Sequence, residues 1–160
     1  MVVRCPAASD RHVVHEALTR CGAFNDEEIR VAIEMFDSGL AGDYSLLGIE
    51  TGGALRAYAC FGKAGLTQRS WYLYWMCVHP DVQRTGIGQA LERTVEDVVR
   101  QMDGERLVLE TSGRPDYERS RRFYERAGFM VHGRIPDFYA PGDDCIIYCK
   151  ILRSFAGDAA

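Results

Sequence analysis

Val78-His79-Pro80-Asp81-Val82-Gln83-Arg84-Thr85-Gly86-Ile87-Gly88-Gln89-Ala90-Leu91 is the stretch on which the fold turns: an apolar strand runs into a basic, glycine-punctuated turn that opens a helix. The first N–H groups of a helix lack intrahelical partners, and the aligned peptide dipoles leave partial positive charge there. Gly86 and Gly88 remove side chains that would hold an anion away from the backbone. Gln83 and Arg84 add an amide and a guanidinium suited to phosphate oxygens, and Thr85 adds a hydroxyl. Ile87, Leu91, Val95, Val98 and Val99 then recur near helical spacing. On these residues alone the turn reads either as a phosphate cradle or as a tight strand-to-helix connection.

Two familiar phosphate loops are excluded by missing parts. A Walker-type loop requires Gly-Lys-Ser/Thr at the helix start, and here Gly88 is followed by Gln89-Ala90. A dinucleotide fingerprint requires a third small residue where this chain has Leu91. What remains is Gln-x-x-Gly-x-Gly, carried by Gln83, Gly86 and Gly88. It resembles the acyl-CoA signature of the GNAT superfamily of N-acyltransferases. Ser120-Arg121-Arg122-Phe123-Tyr124-Glu125-Arg126-Ala127-Gly128-Phe129 resembles a second landmark of that family, Ala-x-x-Phe-Tyr-x-x-x-Gly-Phe, with Ser120 in the alanine place.

The order of elements matches from end to end. Val2 to Cys5 reads as a strand, Ser9 to Thr19 and Asp26 to Phe36 as helices, and Asn25 as the N-cap of the second. Tyr44 to Glu50 and Ala54 to Phe61 read as a hairpin around Thr51-Gly52-Gly53. Trp71 to Val78 is the strand before the turn, Ile87 to Met102 the helix after it, and Arg106 to Thr111 the next strand. A helix from about Asp116 to Ala127 carries Tyr124, and strands near Met130 to Ile135 and Cys145 to Leu152 close the chain. The resemblance spans Val2 to Leu152. It implies an α/β (α+β) GNAT fold with a mixed, mostly antiparallel sheet of about seven strands and about four helices, splayed at the CoA site.

Composition fits one domain, 1–153, with residues 154–160 read as a flexible C-terminal tail. The chain has 160 residues, 47% of them hydrophobic, enough for a core of that size. Six cysteines without a secretory apolar segment predict a reducing cytoplasm, and no membrane span is expected. A net charge of −4 argues against general nucleic-acid binding. Arg114, Arg119, Arg121, Arg122 and Arg126 crowd the Tyr124 helix, either as a solvated face or with one or two reaching the anionic end of CoA.

The family resemblance assigns the chemistry. It implies acetyl-CoA as the cosubstrate, no metal, and direct attack of a primary amine on the thioester. Gln83, Arg84, Thr85, Gly86, Ile87, Gly88 and Gln89 would hold the pyrophosphate. Backbone groups of Met76, Cys77 and Val78 would pair with the pantetheine arm and face the developing oxyanion. Tyr124 would protonate the leaving thiolate, a role suited to a phenol of pKa ~10. From the residues alone, Tyr124 reads more readily as a core aromatic with a bonded hydroxyl, and it is the family resemblance that turns the reading to catalysis. Glu110, at the end of Leu107-Val108-Leu109-Glu110, resembles the strand glutamate that serves as base in the N-terminal protein acetylase branch. His79 is a second candidate base, although beside Pro80 a turn role suits it better. Cys77 raises a ping-pong alternative through an acyl-thiol, disfavoured because nothing adjacent lowers its pKa.

Asp137-Phe138-Tyr139-Ala140-Pro141-Gly142-Asp143-Asp144 joins the last two strands, where this family often lines its acceptor site. Asp137 and Tyr139 are the candidate acceptor contacts, through ion pairing and cation–π attraction to an amine, beside the plainer reading of a turn with an aromatic lid. The expected acceptor is a peptide or protein α-amine, or a small amine, and the chain is expected to be a monomer or homodimer. A non-catalytic CoA-binding module is the alternative from another class. His12 and His15 lack the His-Glu-x-x-His pattern, and Cys145 and Cys149 read as apolar strand residues. Tyr117 stands where many family members carry an asparagine.

Overall fold

The computed structural model describes residues 1–152, and the tail expected over 154–160 lies outside them. Two compact units are present: Met1–Gly62 with Leu73–Val95, and Lys63–Tyr72 with the chain from Glu96 onward. The strands are β1 Val2–Arg4, β2 Ser45–Thr51, β3 Ala54–Lys63, β4 Ser70–Val78, β5 Arg106–Ser112, β6 Met130–Ala140 and β7 Asp143–Ile151. Among the described residues the helices are α1 Arg11–Cys21, α2 Asp26–Ala41, α3 Ile87–Gln101 and α4 Glu118–Arg126. The seven strands follow the order β1-β2-β3-β4-β5-β7-β6. The expected mixed sheet and helix count are therefore present.

In the first unit, β1 pairs with β2 and β2 with β3, both antiparallel. Gly52 and Gly53 turn the β2–β3 hairpin with φ of 62° and 77°, left-handed values that glycine adopts without strain. α2 begins with a reciprocal cap: the Asn25 side chain accepts from the Glu28 N–H at 2.9 Å, and Glu28 accepts from the Asn25 N–H at 2.7 Å. Such a cap contributes about 0.5–2 kcal/mol. The helix runs past the expected Phe36 to Ala41 because Ser38-Gly39 does not break it. Gly39 is needed there for space: a Cβ would lie 2.6 Å from Leu46 Cγ. Gly42, at φ 100°, ends the helix. Val14, Leu18, Ala32, Ile33 and Phe36 from the two helices pack with Leu55, Tyr58 and Cys77.

In the second unit, β4 runs parallel to β5 with Ser70 to Tyr72 registered against Arg106 to Val108. β5 pairs antiparallel with β7, which pairs antiparallel with the edge strand β6. Gly104 precedes β5 where a Cβ would fall 2.2 Å from Val99 Cγ1 and 2.7 Å from Trp71 Cδ1. The Tyr124 helix begins later than expected. Pro115 to Tyr117 form a separate 3-10 turn, and α4 starts at Glu118.

The last connection is tighter than the expected 137–144 loop: β6 extends to Ala140, and only Pro141-Gly142 separate it from β7. The extra length is taken up as a bulge, since Ile135 registers with Cys145 and Ala140 with Asp143. No helix among the described residues is long and apolar enough to cross a membrane.

Candidate active site

The first unit presents the glycine turn. β4 ends at Val78, and His79 is buried, its N–H donating to the Arg56 carbonyl at 2.8 Å. Its Nδ1 accepts from the Asp81 N–H at 3.3 Å, capping the 3-10 turn Pro80 to Val82. Asp81 is gripped by Arg20 from the last turn of α1, with Nη2 to Oδ1 at 2.7 Å. Arg20 also reaches Glu16 at 3.0 Å and holds both carboxylates below their ordinary range. His79 thus occupies the turn role that its sequence position favoured.

Beyond this braced segment, the Gln83 amide donates to the Val78 carbonyl at 3.1 Å, closing the turn on the strand end. The Thr85 hydroxyl donates to the Val82 carbonyl at 2.6 Å, so its proton faces the turn and its lone pairs remain to accept. Arg84, at φ 64°, and Gly86, at φ 89°, reverse the chain. The Ala90 N–H reaches the Gly86 carbonyl at 3.0 Å, so the helix proper begins here. The Ile87, Gly88 and Gln89 amides precede the first intrahelical donor and point out of the helix end. Arg84 is exposed and forms no ion pair among the described residues. Backbone donors, a dipole end and a guanidinium are groups that attract an anion.

Before the turn, Met76 and Val78 are half-buried, while Cys77 alternates into the α1–α2 core. Burial pushes the Cys77 thiol up to about 12. It therefore stays protonated near neutrality, which is the wrong state for an acyl-accepting nucleophile.

The second unit holds Tyr124 and Glu110. Tyr124 is half-buried near the end of α4, its ring 5.7 Å from Phe129 and 6.4 Å from Tyr148. Gly128, at φ 94°, turns the chain so that the Phe129 N–H reaches the Tyr124 carbonyl at 3.0 Å and Phe129 folds back on the ring. Arg121 ties the helix to the preceding loop through the Ser112 and Arg114 carbonyls at 2.6 and 2.8 Å. Tyr148 on β7 donates to Glu125 Oε1 at 2.9 Å.

Register separates the two candidates. Tyr148 is opposite Leu109, whereas Glu110 is opposite Ile147, and successive side chains of a strand point to opposite faces. Glu110 is exposed on one face of the β5–β7 pair, and Tyr124 packs beside Tyr148 on the other. On the Glu110 face stand Ser112, Cys145 and Asp143. The Ser112 hydroxyl donates to the buried Asp143 carboxylate, and Arg114 lies 3.8 Å from it. The Tyr139 hydroxyl donates to Cys145 Sγ at 3.7 Å. Burial, reinforced by Cys145, Glu110 and Asp143, drives the Tyr139 phenol well above its ordinary range, so it is a donor.

Asp137 sits differently from Tyr139. Its carboxylate accepts the Gly142 N–H at 2.6 Å and its own N–H donates to Asp144 Oδ1 at 2.9 Å, so it shapes the bulge. Ser112 and the polar role of Cys145 were not evident from the sequence. The period-two alternation through Glu110 and Ser112 was the signal available for that face. Among the described residues, no group of three or more His, Cys, Asp or Glu side chains is placed to hold a metal ion.

Known proteins share this architecture. A GNAT-family protein from Desulfovibrio desulfuricans superposes with a TM-score of 0.89 at 35% identity, covering 95% of this chain and 99% of its own. The ribosomal-protein-S18-alanine N-acetyltransferase of Escherichia coli gives 0.77 at 22% identity, with 99% and 97% covered. Salmonella typhimurium yncA, solved with its cofactor acetyl-CoA, gives 0.74 at 20%, with 100% and 98% covered. The latter two likenesses speak for the fold alone. No curated protein matches the chain. The acetyltransferase (GNAT) family model matches residues 11–129, three quarters of the sequence, and the chain belongs to that family as an acyl-CoA-dependent acetyltransferase.

Proposed function

We propose that this chain transfers the acetyl group of acetyl-CoA to a primary amine by direct attack in a ternary complex. The observation that carries the reading is the open N-terminal turn of α3. Gln83 to Gln89 form an anion cradle there, in a family whose reaction consumes acetyl-CoA. In this reading the Ile87, Gly88 and Gln89 amides with Arg84 hold the pyrophosphate, Gln83 and Thr85 shape the turn, and Met76 and Val78 meet the pantetheine through their backbones. A backbone N–H at Cys77 or Val78 faces the developing oxyanion.

Tyr124 protonates the departing thiolate, and Glu110 takes the amine proton through water. The buried, protonated Cys77 supports direct attack over an acyl-thiol.

A peptide or protein α-amine is the favoured acceptor. An α-amine of pKa ~8 is partly free at neutral pH, whereas a lysine-like amine at ~10.4 demands a stronger base than an exposed carboxylate. The Escherichia coli S18-alanine acetyltransferase of the same fold works on such an amine. Tyr139, whose one O–H is taken by Cys145, contacts the acceptor through its ring face, and Asp137 contributes its carboxylate while shaping the bulge that presents the ring. A small amine is the second acceptor class. The protein works in the cytoplasm, as a monomer or homodimer, without nucleic acid, membrane or metal. The test is CoA release with a panel comprising an N-terminal-alanine peptide, an amino acid, a polyamine and an aminoglycoside. Acceptor-dependent thiol, greatest with the peptide, is expected. Thiol release unaffected by every amine would refute the proposal and favour a non-catalytic CoA-binding module.

A further inference from the structure

We infer that the hydrogen bond from Tyr148 to Glu125 is a positioning device for Tyr124, fixing the rotation of α4 so that the phenol is presented for proton transfer. The inference rests on Tyr124 being the general acid and extends that reading to two residues that no catalytic role covers.

α4 is only nine residues long, too short to hold its own geometry in water. Two side-chain tethers hold it from opposite ends. Arg121, one turn into the helix, donates to the Ser112 and Arg114 carbonyls and ties the N-terminal half to the β5–α4 loop. Glu125 ties the C-terminal half to β7 through the Tyr148 hydroxyl at 2.9 Å. Tyr124 lies between these anchors, adjacent to Glu125 in sequence and beside the Tyr148 ring in space.

The chemistry of the second anchor suits a fixed support. Tyr148 is fully buried on a strand registered residue by residue with β5, so its hydroxyl is a stationary point. Burial and the Glu125 carboxylate raise the Tyr148 phenol to about 12, and Arg121 opposes them weakly. The bond is therefore a neutral phenol donating to a carboxylate, the stronger kind of hydrogen bond. Glu125 is otherwise a surface glutamate on a basic helix, and Arg121, one turn before it, is directed instead at the Ser112 and Arg114 carbonyls. Its visible role is to be held by Tyr148. Phe129 and the Tyr148 ring limit tilting of the Tyr124 ring, but neither sets the rotation of the helix about its axis. The two tethers do, and the Tyr148–Glu125 bond is the one beside Tyr124.

The test uses the full chain with acetyl-CoA and the amine that releases most CoA in the panel. Tyr148→Phe and Glu125→Ala should each lower kcat roughly tenfold, the scale expected when a catalytic group is displaced by a fraction of an ångström. The KM for acetyl-CoA should stay within about twofold. Glu125→Gln, whose amide oxygen still accepts, should retain most of the activity. The double variant should be no worse than either single one. In a Tyr124→Phe background, Tyr148→Phe should have no further effect, because nothing is left for it to position.

A merely structural bond predicts otherwise: a lowered melting temperature with kcat unchanged, or an equal loss in the Tyr124→Phe background. Either result overturns the inference. As a readout that needs no acceptor, the 13Cζ resonance of Tyr124, assigned with Tyr124→Phe, should shift or split in Tyr148→Phe and return in Glu125→Gln. An unchanged resonance in Tyr148→Phe also overturns it. If Tyr124→Phe itself keeps full turnover, the general-acid reading has failed instead, and the two failures are distinct.

Discussion

Replacing Gly86 by alanine isolates the backbone geometry of the anion cradle. Gly86 has φ 89°, and a Cβ built on it meets nothing within 4 Å, so the substitution adds no clash. Its cost is conformational. Left-handed geometry penalises an L-residue by about 1–2 kcal/mol, offset by about 0.4–1 kcal/mol from the stiffer unfolded chain. The net is about 1 kcal/mol, which for a domain of this size lowers the melting temperature by about 2–4 °C. The chain escapes that strain by rotating the turn, which moves the Ile87 to Gln89 amides. Losing one charge-assisted bond of about 1.5–3 kcal/mol weakens acetyl-CoA about tenfold or more.

Gly65 is the internal control, because it too has open space around a Cβ but no left-handed φ. Gly65→Ala should raise stability slightly and leave acetyl-CoA affinity unchanged. Thermal melts with and without acetyl-CoA, and calorimetric titration of both variants, make the comparison. Gly86→Ala with wild-type melting and wild-type acetyl-CoA affinity would refute the cradle geometry.

Two further outcomes follow from the packing and the charges. Gly104→Ala forces a methyl to within 2.2 Å of Val99 Cγ1 and 2.7 Å of Trp71 Cδ1, so chemical denaturation should show a loss of about 1–3 kcal/mol. Asp10 is held below its ordinary range chiefly by its hydrogen bonds to Arg4. A carboxylate whose folded pKa is depressed contributes stability above its unfolded value of about 3.9, lost as pH falls through the folded value. The wild-type melting temperature should therefore fall below about pH 4, and Asp10→Ala should flatten that fall. Equal pH dependence in both proteins would contradict the assignment.

The parts of the molecule legible in the sequence are those governed by local rules. Asn25 and Glu28 stand three apart before an apolar run, and they form the reciprocal cap. Gly52-Gly53 sits between two strand patterns, and it makes the turn. Gly86 and Gly88 follow an apolar strand, and α3 starts between them. What could not be read depends on how separate segments are brought together in the fold. Ser38-Gly39 looks like a helix stop, but Leu46 fills the space at Gly39 and the helix continues. Asp137 beside an aromatic pair looks like an acceptor contact, and its added part in the bulge, through Gly142 and Asp144, shows only in the fold. The Arg20 grip on Asp81 joins residues 61 positions apart, and no local pattern announces it. Cys145 reads as a small apolar residue until Tyr139 is brought over it.

The claim that this family fold performs acid-assisted acetyl transfer to an amine is tested most directly at Tyr124. CoA release is followed with saturating acetyl-CoA and the best amine of the panel, comparing wild type with Tyr124→Phe. Removing the hydroxyl leaves the ring to pack on Phe129 and Tyr148, so the variant should fold and bind acetyl-CoA normally. Loss of the general acid should lower kcat by about 10²–10⁴-fold. A folded Tyr124→Phe enzyme with wild-type kcat would contradict the account.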